Sequence, residues 1–177
     1  VLFRSHFLLT QLLLPQFTEK ARIINISSDM HNPPGGIEWK GAEYLAHEAM
    51  SDRSRYSHSK LCMIYLTHKL DEALREQGSS VCVNSFNPGF MVATGFSGGH
   101  ADKARALMVK TTMPDRYGEL ESSSDALTEA AISDKYDGVS GKYFDRSFGI
   151  KDSSELSYSK ENAEELWVKS MEYCKMS

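Results

Sequence analysis

Apolar residues fall on one broad face at helical spacing over residues 5–17, where Phe7, Leu8, Leu9, Leu12, Leu13 and Leu14 cluster. That spacing predicts a helix, and Pro15 predicts its end, because proline lacks the N–H a helix interior needs. Residues 21–27 (A-R-I-I-N-I-S) form a short β-branched run and predict a buried strand. Residues 28–54 carry Asn32-Pro33-Pro34-Gly35-Gly36 and scattered polar side chains, which predict a long loop with one helical turn near residues 42–49. Leu61, Leu66, Leu70 and Leu74 then recur at near-helical spacing, giving a helix over 55–77 with Gly78 as its terminator. Residues 80–86 (S-V-C-V-N-S-F) predict a second strand, closed by Asn87-Pro88-Gly89. A helical piece at 101–109, a capped helix at 123–134, a third strand at 141–144 and a final helix at 159–175 follow. Glu161, Glu164 and Glu165 occupy the early turns of that last helix, where the macrodipole favours negative charge. Helices alternating with short strands predict an α/β fold around a mainly parallel sheet. No repeat, low-complexity segment or linker divides the 177 residues, so they read as one domain.

Composition narrows the classes. Twenty Lys+Arg against 24 Asp+Glu leave a net charge of −4, with no basic surplus to hold nucleic acid. The longest apolar run, residues 7–14, is broken by Thr10 and Gln11, so no segment spans a bilayer. Cys62, Cys82 and Cys174 are odd in number and form no C-x-x-C. This argues against a disulfide framework and for the cytoplasm or another reducing intracellular compartment. His31, His47, His58 and His100 show no metal-ligand spacing and read as surface or loop residues, so no metal site is expected. The chain opens on Val1, and no glycine precedes Gly35, which reads as the later part of a longer domain.

Two Tyr-x-x-x-Lys pairs are present, Tyr56…Lys60 and Tyr65…Lys69. Spacing i,i+4 puts phenol and ammonium one helical turn apart, and a nearby cation favours phenolate, as a general acid/base near neutral pH requires. Spacing alone is weak: 8 Tyr and 12 Lys supply about 0.5 such pairs by chance, and each reads equally as a solvated contact. Context separates them. Ser28 follows the first predicted strand and Asn87-Pro88-Gly89 ends the second, at the sheet edge where open parallel sheets bind ligands. Taken separately, Ser28 is also a turn cap and Pro88-Gly89 a plain turn. Tyr65 lies more than two turns down the helix, away from that edge.

Ser28, Tyr56-x-x-x-Lys60 and Asn87-Pro88-Gly89 in this order resemble the short-chain dehydrogenase/reductase family. The resemblance runs through H-F-L-L-T, R-I-I-N-I-S-S, Y-S-H-S-K-L and N-P-G-F-M-V-A-T-G. With G-V-S-G-K-Y-F it is most similar to the retinol-dehydrogenase and protochlorophyllide-reductase branch. It implies the C-terminal portion of a Rossmann-type doubly wound domain over residues 1–177, lacking the N-terminal βαβ units. It further implies hydride transfer between NADP or NAD, with NADP preferred, and an alcohol or carbonyl compound. Tyr56 would be the acid/base, Lys60 would hold the nicotinamide ribose and lower the Tyr56 pKa, and Ser28 would orient the substrate oxygen. Pro88, Gly89 and Met91 would line the nicotinamide through backbone groups, and Thr94 would contact the carboxamide or pyrophosphate. A lid over residues 95–118, rich in Gly and Met, implies a small apolar substrate, and the long helix suits a homo-oligomer. Leu2 and Ser5 depart from the family's N-x-x-G-H-F pattern. Without the Gly-rich phosphate turn, these 177 residues alone are expected to hold the dinucleotide poorly. The alternative is a non-catalytic fragment or interaction module of the same fold. A nucleotide-sugar epimerase is disfavoured, because the tail after Phe144 is short for a large substrate domain.

Overall fold

The computed structural model describes residues 3–47, 49–92, 94, 103–147 and 149–176. Helix α1 (Arg4–Leu13) runs into one 3-10 turn that carries Pro15, so the proline closes the helix as predicted. Then come β1 (Arg22–Ile26), α2 (Ala42–His47), α3 (Asp52–Glu76) and β2 (Cys82–Asn87). The remainder is α4 (Lys103–Thr112), α5 (Leu120–Ile132), β3 (Tyr143–Asp145), β4 (Gly149–Lys151) and α6 (Lys160–Cys174). The strands lie in the order β1-β2-β3-β4, with the first three parallel and β4 antiparallel at the edge. Three residues of β4 are too few for a periodic signal, which is why the sequence pattern does not predict it.

Period-two alternation sends neighbouring strand residues to opposite faces. Ile23 and Val83 pack on one side with Phe7, Leu66, Leu70 and Leu74 of α1 and α3. Ile24 and Phe86 pack on the other with Ala126, Ala130 and Phe144. Helices therefore cover both faces, as the expected doubly wound class requires, and all six residues of β2 are buried. Polar residues inside the sheet are paired: Asn25 donates to Thr67 Oγ1 at 2.9 Å and Asn84 to the Val139 carbonyl at 2.8 Å.

Helix α3 begins at Asp52, nearly a turn earlier than its apolar spacing suggests, because Ser51 caps it by accepting from the Ser54 N–H. It ends as expected, with Gly78 at φ +67°. No helix among the described residues is long and apolar enough to cross a membrane.

Candidate active site

Strands β1 and β2 end side by side, with Ile26 opposite Phe86. Just beyond, Ser28 is extended and its Oγ accepts from the Met30 N–H at 3.2 Å, capping the turn Asp29–His31. The Ser28 side chain also lies beside Tyr56 in the lining of one cleft and acts on its phenol. Tyr56 stands in the second turn of α3. One turn on, the Lys60 ammonium lies 5.4 Å from the Tyr56 ring centre and donates to the Ile26 carbonyl at 3.0 Å. Ser27 Oγ donates to the Lys60 carbonyl at 2.9 Å, fastening the strand end to the helix that carries both groups. Ser28, Tyr56 and Lys60 are thus brought together from β1 and α3.

The electrostatics depart from expectation at Tyr56. Burial raises its phenol above the ordinary value, and the Ser28 hydrogen bond offsets only part of that. Burial likewise lowers Lys60, whose ammonium is directed at a backbone carbonyl and not at the phenol oxygen. The expected lowering of Tyr56 by Lys60 is therefore not found in this arrangement: desolvation outweighs Ser28, and the ammonium is turned to the Ile26 carbonyl.

Tyr65, the other phenol with a lysine one turn on, is fully buried, and its hydroxyl donates to the Leu156 carbonyl at 2.9 Å. Lys69 pairs with Glu72 and with Glu164, the latter at 2.7 Å. This pair is structural.

The turn after β2 is closely built. Gly89 has φ +77°, and a Cβ there would sit 2.4 Å from Arg146 Cδ and 2.8 Å from Gly118 Cα, so only glycine fits. The Pro88 carbonyl accepts from Ser123 Oγ and the Gly89 N–H donates to Asn87 Oδ1. The Met91 carbonyl accepts from Thr94 Oγ1 at 2.8 Å. These backbone groups are already partnered within the fold, so Pro88 and Gly89 offer a ligand mainly wall surface.

Of the expected lid, residues 95–102 lie outside the described residues, as do His100 and Leu2. In α4, Leu107 and Met108 are 67% and 56% exposed, while Val109 is buried. The far end is fixed: the Gly118 N–H donates to the Phe90 carbonyl, and Phe90 bridges Tyr117.

Sequence reading missed a polar network below the site. Asn87 Nδ2 donates to Asp29 at 2.6 Å and to Asp145 at 3.1 Å, and Arg146 reaches both carboxylates at 3.4 and 3.0 Å. Burial raises Asp29 despite Arg146. Burial also pushes Asp145 upward, but Ser147, Lys151 and Arg146 outweigh it and hold that carboxyl low. His31 and His58 are buried, contrary to the surface reading. The His31 Nδ1 meets the Ser28 carbonyl at 2.7 Å while its Nε2 accepts from the Ser154 N–H at 3.0 Å. The His58 ring nitrogens face the Ser54 and Glu38 carbonyls. Each ring has one partner close in sequence and one distant, Ser154 for His31 and Glu38 for His58, and the distant ones have no signal in the local pattern. Among the described residues no group of three or more His, Cys, Asp or Glu is placed to hold a metal ion.

Tyr56 and Ser28 open on a cleft of about 580 Å³, walled by Met30, Pro34, Phe90 and Met113, with Asp29, Arg53 and Arg116 also lining it. A doubly wound sheet with its cleft at the carboxyl edge of parallel strands belongs to the class of α/β ligand-binding folds. The comparisons narrow that class. No family model matches the chain. Human retinol dehydrogenase 13 is 33% identical over 174 residues, covering 94% of this chain and 50% of that protein. The chloroplastic short-chain dehydrogenase TIC 32 B of Brassica napus is 28% identical over 153 residues, covering 79% of this chain and 45% of that one. The solved landomycin C-6 ketoreductase with bound NADP and rabelomycin superposes with TM-score 0.54 at 20% identity, over 84% of this chain and 49% of its own. The chain belongs to the short-chain dehydrogenase/reductase family. It spans about half the length of the curated relatives it matches.

Proposed function

We propose that this chain carries the substrate cleft and the acid–base group of a nicotinamide-dependent oxidoreductase acting on a carbonyl or alcohol compound. The observation that carries this reading is the convergence of Ser28 and Tyr56 on the lining of one cleft at the strand ends, with the Lys60 ammonium 5.4 Å from the Tyr56 ring. The donor set fits a nicotinamide ribose: the Lys60 ammonium has three N–H groups and gives one to the Ile26 carbonyl, leaving donors for a diol. The bound nicotinamide supplies hydride in reduction and accepts it in oxidation. NADP is favoured, since the superposed ketoreductase holds NADP.

Each residue has a distinct task. Ser28 Oγ, fixed at the strand end, donates to the substrate oxygen and sets its position against Tyr56. Tyr56, kept protonated by burial, gives its proton to the carbonyl oxygen during reduction and takes it back in oxidation. Lys60 stabilises the phenolate as its ammonium turns from the Ile26 carbonyl toward the phenol oxygen. Pro88, Gly89 and Met91 form the wall against the nicotinamide, and Thr94 stands at its carboxamide or pyrophosphate end. Met30, Phe90 and Met113 give the cleft an apolar lining suited to a hydrophobic substrate. The test is NADPH oxidation by the full-length protein with a panel of apolar ketones and aldehydes. Turnover that Tyr56→Phe abolishes supports the reading. Absence of any turnover, or turnover indifferent to Tyr56→Phe, overturns it.

A further inference from the structure

The cleft beside Tyr56 carries more positive charge than its own surroundings use. Arg53 and Arg116 line it, and Asp29 is the one carboxylate among its described lining residues. Asp29 is already served from below, by Asn87 at 2.6 Å and Arg146 at 3.4 Å. Arg116 touches Asp29 only through its longer-range field, and its nearest named side-chain acceptor is Met30 Sδ at 4.0 Å, a weak one. Its backbone is nevertheless held at both ends. The Arg116 N–H donates to the Met113 carbonyl at 3.0 Å, and its carbonyl accepts from the Phe90 N–H at 2.7 Å. Arg53 sits in the first turn of α3, where the helix dipole disfavours a cation, and it pairs with no acidic side chain among the described residues. Arg116 also borders a second cleft with Asp115, Asp145 and Asp152, yet it makes no ion pair among the described residues. A guanidinium held so, on a fixed backbone over an apolar cleft, is built to receive a carboxylate.

We propose that the substrate is amphipathic: an apolar body with its reacting carbonyl or alcohol at Ser28 and Tyr56, and a carboxylate received by Arg116, with Arg53 assisting at the rim. Arg116 and Arg53 then act as specificity determinants. This rests on the reading of the site given above.

The probes are 4-acetylbenzoate and 9-oxodecanoate, each against its methyl ester, with NADPH and the full-length protein. The acids should be preferred by about tenfold or more in kcat/KM, mainly through KM, and the preference should shrink as salt rises. Arg116→Met should bring the acid-to-ester ratio to about one, Arg53→Met should reduce it in part, and Arg116→Lys should retain part of it. Equal use of acid and ester by the unaltered enzyme overturns the carboxylate site while leaving the oxidoreductase reading intact. A rise in the KM for NADPH in the arginine variants, with the ratio unchanged, overturns it too and assigns the guanidinium groups to the cofactor. If no probe is reduced, the panel of apolar ketones and aldehydes decides the oxidoreductase reading. Saturation-transfer NMR then decides the site: acids bound by the unaltered protein and released by Arg116→Met uphold it, and acids left unbound overturn it.

Discussion

Helix α3 contains the same two-residue arrangement twice, and the copies have opposite fates. Tyr56…Lys60 and Tyr65…Lys69 are nine residues apart, which is two and a half helical turns, or about 13 Å along the axis and half a rotation around it. The first phenol faces the cleft beside Ser28; its lysine reaches back to the end of β1. The second phenol faces the core, edge-on to Trp39 at 5.1 Å, with its hydroxyl held between the Leu156 carbonyl and Asn162. Its lysine turns outward to two glutamates. Identical spacing therefore says little about chemistry. What differs is the face of the helix and what the strands bring to it.

The largest contrast is expected in turnover. In the full-length protein Tyr56→Phe should lower kcat by about 10²-fold or more, whereas Tyr65→Phe should leave it within about twofold. Equal losses in the two variants would remove the distinction. The lysines should separate next. Lys60→Met should slow turnover by about tenfold or more and raise the KM for NADPH, since the proposed role gives one ammonium to both ribose and phenol. Lys69→Met should change neither, costing at most about 0.5 kcal/mol of stability through exposed ion pairs. An effect of Lys69→Met on the NADPH KM would break the comparison.

How much of this was legible follows from how far apart in sequence the partners lie. Helices α1 and α3 announced themselves because each repeats its apolar face over several turns, α6 through the glutamates of its early turns, and β2 because a fully buried strand reads as a short run closed by a turn. Ser28, Tyr56 and Lys60 were legible because short motifs carried the resemblance, and the parallel sheet brings the ends of β1 and β2 together. The Asp29–Asn87–Asp145–Arg146 network was not, since its members are separated by 58 and 117 positions and no periodicity links them. His58 escaped for the same reason: its outer partner is the carbonyl of Glu38, twenty residues upstream. The early start of α3 was readable in Ser51, but the apolar spacing that set the boundary begins only further along.

Stability should reverse the order of the two tyrosines. Tyr65→Phe removes one hydrogen bond to the Leu156 carbonyl, which keeps the Ser159 N–H, and one from the half-buried Asn162 amide, at a cost of about 1 kcal/mol in urea unfolding, while Tyr56→Phe at the half-open cleft costs less. Comparable losses would contradict the core assignment of Tyr65. A smaller effect appears in alkali. Burial pushes the Tyr65 phenol up to about 12 from an ordinary 10. The protonated form is the one the fold favours, so its contribution is complete below pH 10 and lost as pH rises towards 12. The stability gap between the unaltered protein and Tyr65→Phe should therefore narrow across that window. A gap that stays constant would mean Tyr65 titrates alike folded and unfolded.

The central claim is that surroundings, not spacing, set the two phenols apart, and the most direct test is a site-resolved titration of both. With tyrosines labelled at 13Cζ, the Tyr56 and Tyr65 resonances are followed from pH 8 upward in the unaltered protein, Ser28→Ala and Lys60→Met. Ser28→Ala should move the Tyr56 titration to higher pH, because it removes a group that favours phenolate, whereas Lys60→Met should move it little, because the ammonium is directed at the Ile26 carbonyl; both should leave Tyr65 in place. A Tyr56 titration that ignores Ser28→Ala, or a Tyr65 titration that moves with it, would contradict the account.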